Sequence, residues 1–158
     1  MANEIDSFDR RILNVLQSDA SITTTSLADR VGLSQAPCWR RIKRLEEMGV
    51  IRGRVTLLDR RQIGLNVMIF THVRLQTHGR QTLPDFEEAI RRYPEVLECY
   101  TLLGETDYLL KIVVPDVEAY ERFFREHLSQ MPAVRETNSS IVLSEIKVKT
   151  ELPLSLAP

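Results

Sequence analysis

The sequence lacks the features that mark membrane proteins and most enzymes. Nowhere do about 18 apolar residues follow one another, as a membrane-spanning helix requires. The first eleven residues carry acids where a signal peptide needs a basic and then an apolar run. No CxxC, HExxH, Walker-loop or GxGxxG motif is present, and the three histidines have no ligand spacing. We therefore expect a soluble, cytoplasmic protein with no metal, cofactor or catalytic residue.

Cysteine is also scarce. Cys38 lies on an apolar helix stripe and Cys99 within a predicted strand of another domain, so we expect two buried thiols rather than a disulfide or metal pair. The 158 residues, 43% apolar and 27% charged, indicate a globular chain with one ordinary domain or two small ones.

The most informative stretch contains two predicted helices joined by a glycine turn. The spacing of Leu27 and Val31 predicts a short helix over residues 25–31. Gly32 ends it, because glycine adopts a positive φ at little cost. An earlier helix, capped by Asp6, would complete a three-helix core.

The second helix of this pair presents a basic face. Ser34 is a suitable N-cap for a helix over residues 35–48, whose apolar stripe is formed by Cys38, Ile42 and Leu45. A helix-turn-helix presents its reading helix to the major groove in this arrangement. Trp39 on the basic face fits either a position along the phosphate backbone or a base contact.

The basic character continues beyond this helix. Residues 50–58 contain strand-forming side chains around Gly53, and we interpret them as the wing of a winged helix-turn-helix. Between Arg30 and Arg61 the sequence contains nine Arg or Lys and three acids, so this segment has a charge of +6 within a chain of net charge −1. A solvated basic helix is the alternative, but charge, turn and cap together favour DNA. The expected DNA-binding residues are Ser34, Gln35, Ala36, Trp39, Arg40, Lys43, Arg44, Arg52 and Arg54.

The second half of the chain predicts the order β-α-β-β-α-β. Its strand and helix signals occupy residues 67–75, 82–92, 96–103, 107–114, 117–128 and 138–149. This order is ferredoxin-like, with a four-stranded antiparallel sheet and two helices on one face. We therefore predict an α+β protein with a winged helix-turn-helix over residues 1–58, a linker over 59–66 and a ferredoxin-like βαββαβ domain over 67–158.

Apolar residues are expected on both faces of this sheet. Met68 and Phe70 alternate with inward residues of the first strand, and Leu109 and Val113 do so in the third. Because helices cover one face only, a second apolar face indicates an interface. We expect a homodimer, formed through the sheets or through strands extended between two chains, that places two reading helices on one DNA duplex.

Seven short stretches carry a family resemblance: FDRRIL at 8–13, LA at 27–28, VGLS at 31–34, PC at 37–38, RIKRLE at 41–46, GVI at 49–51 and GETDYLL at 104–110. Together they resemble the Lrp/AsnC (leucine-responsive regulatory protein, feast/famine) family of transcription regulators over nearly the whole chain. The resemblance implies dimers that assemble into octamers or similar rings, with an amino-acid effector held between dimers.

The resemblance places the effector at the turn from Gly104 to Tyr108. Backbone amides and the Thr106 hydroxyl would meet the effector carboxylate, while Asp107 or Glu105 would meet its ammonium. An ordinary β-hairpin loop is the alternative. The expected effector-binding residues are Tyr100, Thr101, Leu102, Leu103, Gly104, Glu105, Thr106, Asp107 and Tyr108, with Val134, Thr137 and Ser139 from a neighbouring dimer.

The sequence therefore predicts a sequence-specific, double-stranded-DNA-binding regulator of amino-acid metabolism or transport, gated by a small amino acid through its oligomeric state. The alternative is a ferredoxin-like ligand-binding or enzyme domain with an accessory basic helix. That alternative requires a catalytic constellation, which the sequence lacks.

Overall fold

The computed structural model describes residues 5–76 and 82–157, which form two compact units. One unit comprises Met1–Thr56 with Ile146–Pro158, and the other comprises Leu57–Glu145. Residues 146–158 were expected in the second domain, but their contacts lie within the first unit. Within the described ranges, no helix is both long and apolar enough to cross a membrane.

Three helices form the core of the first unit: α1 (Ser7–Ser18), α2 (Thr24–Val31) and α3 (Gln35–Glu47). The Asp6 carboxylate caps α1 by accepting hydrogen bonds from the first-turn amides. Gly32 ends α2 at a φ of 73°, and the Leu33 amide donates to the Ala28 carbonyl at 2.9 Å, which is a Schellman cap. The predicted apolar stripes are confirmed, since the buried core consists of Ile12, Leu27, Ala28, Val31, Cys38, Ile42 and Leu45.

The C-terminal segment packs on α1. The Arg10 guanidinium donates to the carbonyls of Leu154 and Ala157, each at 3.0 Å. Gln17 exchanges two hydrogen bonds of 2.9 Å with the Leu152 backbone. These bonds explain why residues 146–158 group with the first unit.

The predicted wing strand over residues 50–58 is not formed. The segment has no strand pairing among the described residues, and Val55, Leu57 and Leu58 are exposed. A strand exists only where a neighbour takes its backbone hydrogen bonds. Strand-forming side chains alone therefore did not produce one here.

The second unit has the predicted ferredoxin-like order. Its elements are β1 (Val67–Leu75), α4 (Thr82–Ile90), β2 (Val96–Thr101), β3 (Tyr108–Val114), α5 (Val117–Glu126) and β4 (Val134–Ile141). The strands form one antiparallel sheet in the order β2-β3-β1-β4. Side chains from one sheet face, α4 and α5 form a single buried core that includes Ile69, Leu110, Phe86 and Phe123.

Strand β4 differs from the predicted range of 138–149. It begins at Val134, and its register with β1 runs until Ile69 lies opposite Ile141. Because β1 itself begins at Val67, which this register places opposite residue 143, the residues after 143 extend past the end of their partner. The length of the neighbouring strand, rather than β propensity, sets the end of β4.

The second sheet face is less apolar than expected. Met68 and Val113 on this face are buried, but alternation along β1 also places His72 and Arg74 there. This face therefore mixes apolar and charged side chains, with Leu109 opposite His72 and Met68 opposite Val113. Both cysteines are free, and Cys99, expected to be buried, is exposed because β2 is an edge strand.

Candidate functional site

Helix α3 exposes the face that the sequence predicts to bind DNA. Burial of its apolar stripe leaves the opposite side to solvent, and all nine predicted DNA-binding residues are exposed, including Ser34 and Ala36. Ser34 occupies the N-cap position as predicted, although its side chain makes no capping hydrogen bond. Trp39 is 52% exposed, which is unusual for so large an apolar side chain.

Two of the predicted cations share one carboxylate. Lys43 Nζ lies 2.8 Å from one Glu46 oxygen, and Arg54 Nη2 lies 3.2 Å from the other. The hydrogen bond from Lys43 holds the pKa of Glu46 below its ordinary value. Glu46, which is not among the residues predicted to bind DNA, therefore partly neutralises this edge of the basic face.

A buried acid on α1 also holds two arginines of α3. Asp9 is fully buried, and its carboxylate accepts hydrogen bonds from Arg41 at 2.9 Å and from Arg44. Arg41 also pairs with Asp6 at 2.6 Å. Arg44, predicted to read DNA, is thus fixed to α1 through its side chain. The signal for Asp9 was its place three residues after the N-cap, where it completes a capping box.

The remaining predicted DNA-binding cations are less restrained. Arg40 and Arg52 carry no ion pair within residues 5–76 and 82–157, and both are exposed. Their charges are therefore fully available to a phosphate backbone. Gln35 and Trp39 lie on the same face of α3 and supply an amide and an indole for base or sugar contacts.

In the second unit, the predicted effector turn borders a charged notch. The notch has a volume of about 180 Å³ and is lined by His72, Arg74, Glu105, Thr106, Glu136 and Asn138. Arg74 Nε donates to the Glu105 carbonyl at 2.8 Å, and its Nη1 lies 3.7 Å from Glu136. His72 Nδ1 lies 3.2 Å from the Thr106 hydroxyl. Cationic and anionic groups therefore face one small volume.

Only two of the predicted effector residues, Glu105 and Thr106, line this notch. The other four lining residues were missed. They come from β1 and β4, where His72 lies opposite Asn138 and Arg74 opposite Glu136. The available signal was strand alternation, which places even-numbered residues of both strands on the open face, but it requires the register between strands.

Tyr108 and Thr101 lie on the other face of the sheet. Tyr108 is buried, and its hydroxyl donates to Glu87 at 3.0 Å; burial, supported by this hydrogen bond, raises its pKa to about 12. Both residues line a separate pocket of about 220 Å³ beside α4. The structure therefore does not bring them together with Thr106.

Asp107 fastens the turn to the sheet. Its carboxylate accepts the Leu75 amide at 2.7 Å, and its own amide donates to the Val73 carbonyl at 2.9 Å. Its carbonyl accepts the Leu102 amide at 2.8 Å. Gly104 and Leu103, between these bonds, are exposed. Asp107 thus has a structural role beside the predicted one.

The last predicted effector residues lie at the two sheet edges. Tyr100 on β2 is half exposed, and its hydroxyl donates to Glu98 at 2.8 Å. On β4, Ser139 lies 3.0 Å from the Thr71 hydroxyl on the helix-covered face, and Val134 and Thr137 are partly buried. None of these four predicted residues lines the charged notch.

Comparison with known proteins identifies both units. Residues 68–152 match the family model of the Lrp/AsnC ligand binding domain, and residues 5–52 match that of a winged helix-turn-helix DNA-binding domain. The chain belongs to the Lrp/AsnC family. As an Lrp/AsnC protein it is a transcriptional regulator that combines a DNA-binding helix-turn-helix with a ligand-binding domain, which confirms the predicted family and fold class.

Individual relatives cover nearly the whole chain. The glutamate uptake regulatory protein of Zymomonas mobilis is 42% identical over 98% of this chain and 93% of its own. The DNA-binding transcriptional activator DecR of Escherichia coli is 35% identical over 95% and 99%. A transcriptional regulator from Neisseria meningitidis, solved in complex with L-Met, superposes with a TM-score of 0.92 at 39% identity, covering 96% and 97%. These Lrp/AsnC relatives are regulators rather than enzymes.

Proposed function

We propose that this Lrp/AsnC regulator controls genes of amino-acid metabolism or transport in the cytoplasm, and that a small amino acid gates it through its oligomeric state. The charged notch beside the Glu105–Thr106 turn carries this proposal. The names of two relatives support the ligand class, since one regulates glutamate uptake and another was solved with L-Met.

The notch has the chemistry that an amino-acid zwitterion requires. Arg74 and His72 offer donors for a carboxylate, and Glu105 and Glu136 offer acceptors for an ammonium. Arg74 already spans the notch between the Glu105 carbonyl and Glu136, so an incoming ligand exchanges these bonds for its own. The groups that would contact the ligand thus already face one volume, but Arg74 must release its present partners to bind it.

Exposed apolar side chains support self-assembly. Val55 and Leu57 are 79% and 68% exposed on the unpaired segment after α3, and Leu143 and Ile146 are 92% and 90% exposed beyond β4. Neither segment belongs to a helix or is paired with a strand among the described residues, so pairing with a second copy would satisfy backbone groups and bury the side chains. We therefore propose a homodimer that assembles further into an octamer or similar ring.

Gating requires that the ligand distinguish between assembly states. A ligand with equal affinity for two states shifts neither, so the proposed effector must bind one assembly more tightly. Assembly then sets how many reading helices meet one DNA molecule together. Coupling of this kind is typically about 1–3 kcal/mol, or roughly 5- to 150-fold in affinity.

The test uses gel shifts with duplexes selected by the full-length protein, carrying one or several sites, and a panel of amino acids. We expect an amino acid to change the affinity for multi-site DNA and, in sedimentation, the oligomeric state of the protein. Arg74→Gln should abolish this response to the amino acid but retain binding to single-site DNA. Arg125→Gln is the matched control, because Arg125 pairs with Glu121 on α5, outside the notch, and this variant should respond as wild type. If Arg74→Gln responds normally, the effector binds elsewhere; if no amino acid acts on wild type at millimolar concentration, gating is wrong.

A further inference from the structure

An open notch lies at the N-terminal end of the reading helix. Its volume is about 270 Å³, and its lining residues are Thr24 from α2 and Gln35, Ala36 and Trp39 from α3. Its lining residues provide two methyl groups and an indole ring as apolar surface, and the Gln35 carboxamide, the Thr24 hydroxyl and the indole N–H as polar groups. The notch therefore combines apolar surface with a few neutral hydrogen-bonding groups on the exposed side of α3.

The lining gives a phosphate no counter-charge. None of the four residues is charged, so Thr24 and Gln35 offer a phosphate only neutral hydrogen bonds, whereas the charge-assisted phosphate contacts in DNA complexes come from Arg and Lys. The available cations Arg40 and Arg52 are exposed on the same unit but do not line the notch. An apolar group of the DNA is the occupant that would also cover the alanine methyl group and the indole ring.

The major groove of DNA offers one apolar group, the 5-methyl group of thymine. Ala and Thr methyl groups and aromatic rings are the usual protein contacts of this group, and Gln pairs with the N6 and N7 edge of adenine. The notch supplies all three chemistries side by side. The 52% exposure of Trp39 has a matching explanation, because a thymine methyl would cover part of the indole.

We propose that this notch is a thymine subsite, in which the walls formed by Thr24, Ala36 and Trp39 receive the 5-methyl group and Gln35 reads an adjacent adenine edge. The inference rests on the proposed function, since α3 must enter the major groove. It adds a base-pair preference that neither the family nor the charge distribution specifies.

The test begins with duplexes that the full-length protein selects from a random pool. In a selected duplex, each thymine is replaced singly by deoxyuridine, which removes only the methyl group. We expect one thymine per half-site at which replacement weakens binding about fourfold, corresponding to about 0.8 kcal/mol for one buried methyl. Trp39 is the only tryptophan of the chain, so its fluorescence should also change less with the deoxyuridine duplex.

Variants then assign the effect to the notch. Trp39→Ala should reduce the fourfold ratio to about one. Ala36→Met, at an exposed first-turn position that tolerates a larger helix former, fills the notch and should do the same. Arg40→Ala is the matched control. It removes a cation that contacts the phosphates or the groove, so it should weaken binding to the thymine and deoxyuridine duplexes equally and preserve the fourfold ratio.

The outcomes separate this inference from the proposed function. If selected duplexes bind but no thymine shows the ratio, or if both notch variants retain it, the subsite is wrong and DNA recognition stands. If the pool yields no enriched duplex, the DNA-binding role of α3 fails, and the subsite fails with it.

Discussion

Replacing Asp9 with asparagine should destabilise the DNA-binding unit without changing its shape. Asn has nearly the same volume as Asp, but it carries no charge for the arginines of α3. In the native structure the buried Asp9 carboxylate accepts hydrogen bonds from Arg41, from Arg44 and from the Asp6 amide. The substitution therefore tests the connection between α1 and the reading helix.

The magnitude follows from the exposure of the partners. Removing one partner of a fully buried ion pair costs about 3–5 kcal/mol, because the other charge is left uncompensated. Here the Arg41 and Arg44 side chains are 28% and 47% exposed, and Arg41 retains Asp6. Both guanidinium groups therefore regain water. We expect a loss of about 2–3 kcal/mol, within the range for hydrogen bonds to charged groups.

The measurement is urea unfolding of the full-length protein followed by Trp39 fluorescence. As the only tryptophan, Trp39 reports on the first unit alone. A unit of this size has a total unfolding free energy of roughly 4–10 kcal/mol, so the expected loss shifts the midpoint clearly. Asp6→Asn is the matched control, since its side chain is 47% exposed and should lose less. If Asp9→Asn unfolds within about 0.5 kcal/mol of wild type, the buried ion pairs do not stabilise this unit.

Two further results are expected from the same unit. Arg40→Ala should weaken binding to a selected duplex by about 1–3 kcal/mol if Arg40 reads a base edge. The loss should exceed that of Lys43→Ala, because Glu46 already neutralises part of the Lys43 charge; equal losses in gel shifts would contradict this ranking. The Asp9 amide, together with Arg41, lowers the pKa of Asp6 to about 2, so ionised Asp6 stabilises the fold fully above about pH 4 and progressively less as the pH falls towards 2. The difference in unfolding free energy between wild type and Asp6→Asn should therefore shrink across that interval, and a difference that is constant from pH 5 to 2 would refute this assignment.

Local patterns in the sequence were sufficient to predict the helices and β1. The buried stripe of α3 and the range Val67–Leu75 were predicted as observed, because apolar periodicity depends on a residue's own neighbours. The prediction of strand structure over residues 50–58 and 142–149 was wrong, because a strand also needs a neighbouring strand of sufficient length. The sequence shows β propensity but does not show which backbone lies alongside.

The candidate sites divide in the same way. Exposure of the α3 face followed from its helical period, whereas the pairing of Arg44 with Asp9 depends on how α1 packs against α3. In the second unit, Tyr108 and Thr106 are two residues apart in sequence, yet Tyr108 is buried beneath the sheet and Thr106 lines the open notch. Predicting this separation requires the register of β1 with its neighbours.

The bonds between α1 and the C-terminal segment have a consequence for the order of folding. The bonded residues are separated by between 135 and 147 positions in the sequence, whereas short turns connect the three helices of the first unit. A ribosome therefore completes the helical core of this unit early but supplies its outer contacts only after it has made the whole ferredoxin-like unit. A translation arrest near residue 145 would yield a nascent chain in which the reading helix is folded, but in which Gln17 of α1 lacks its hydrogen bonds to Leu152.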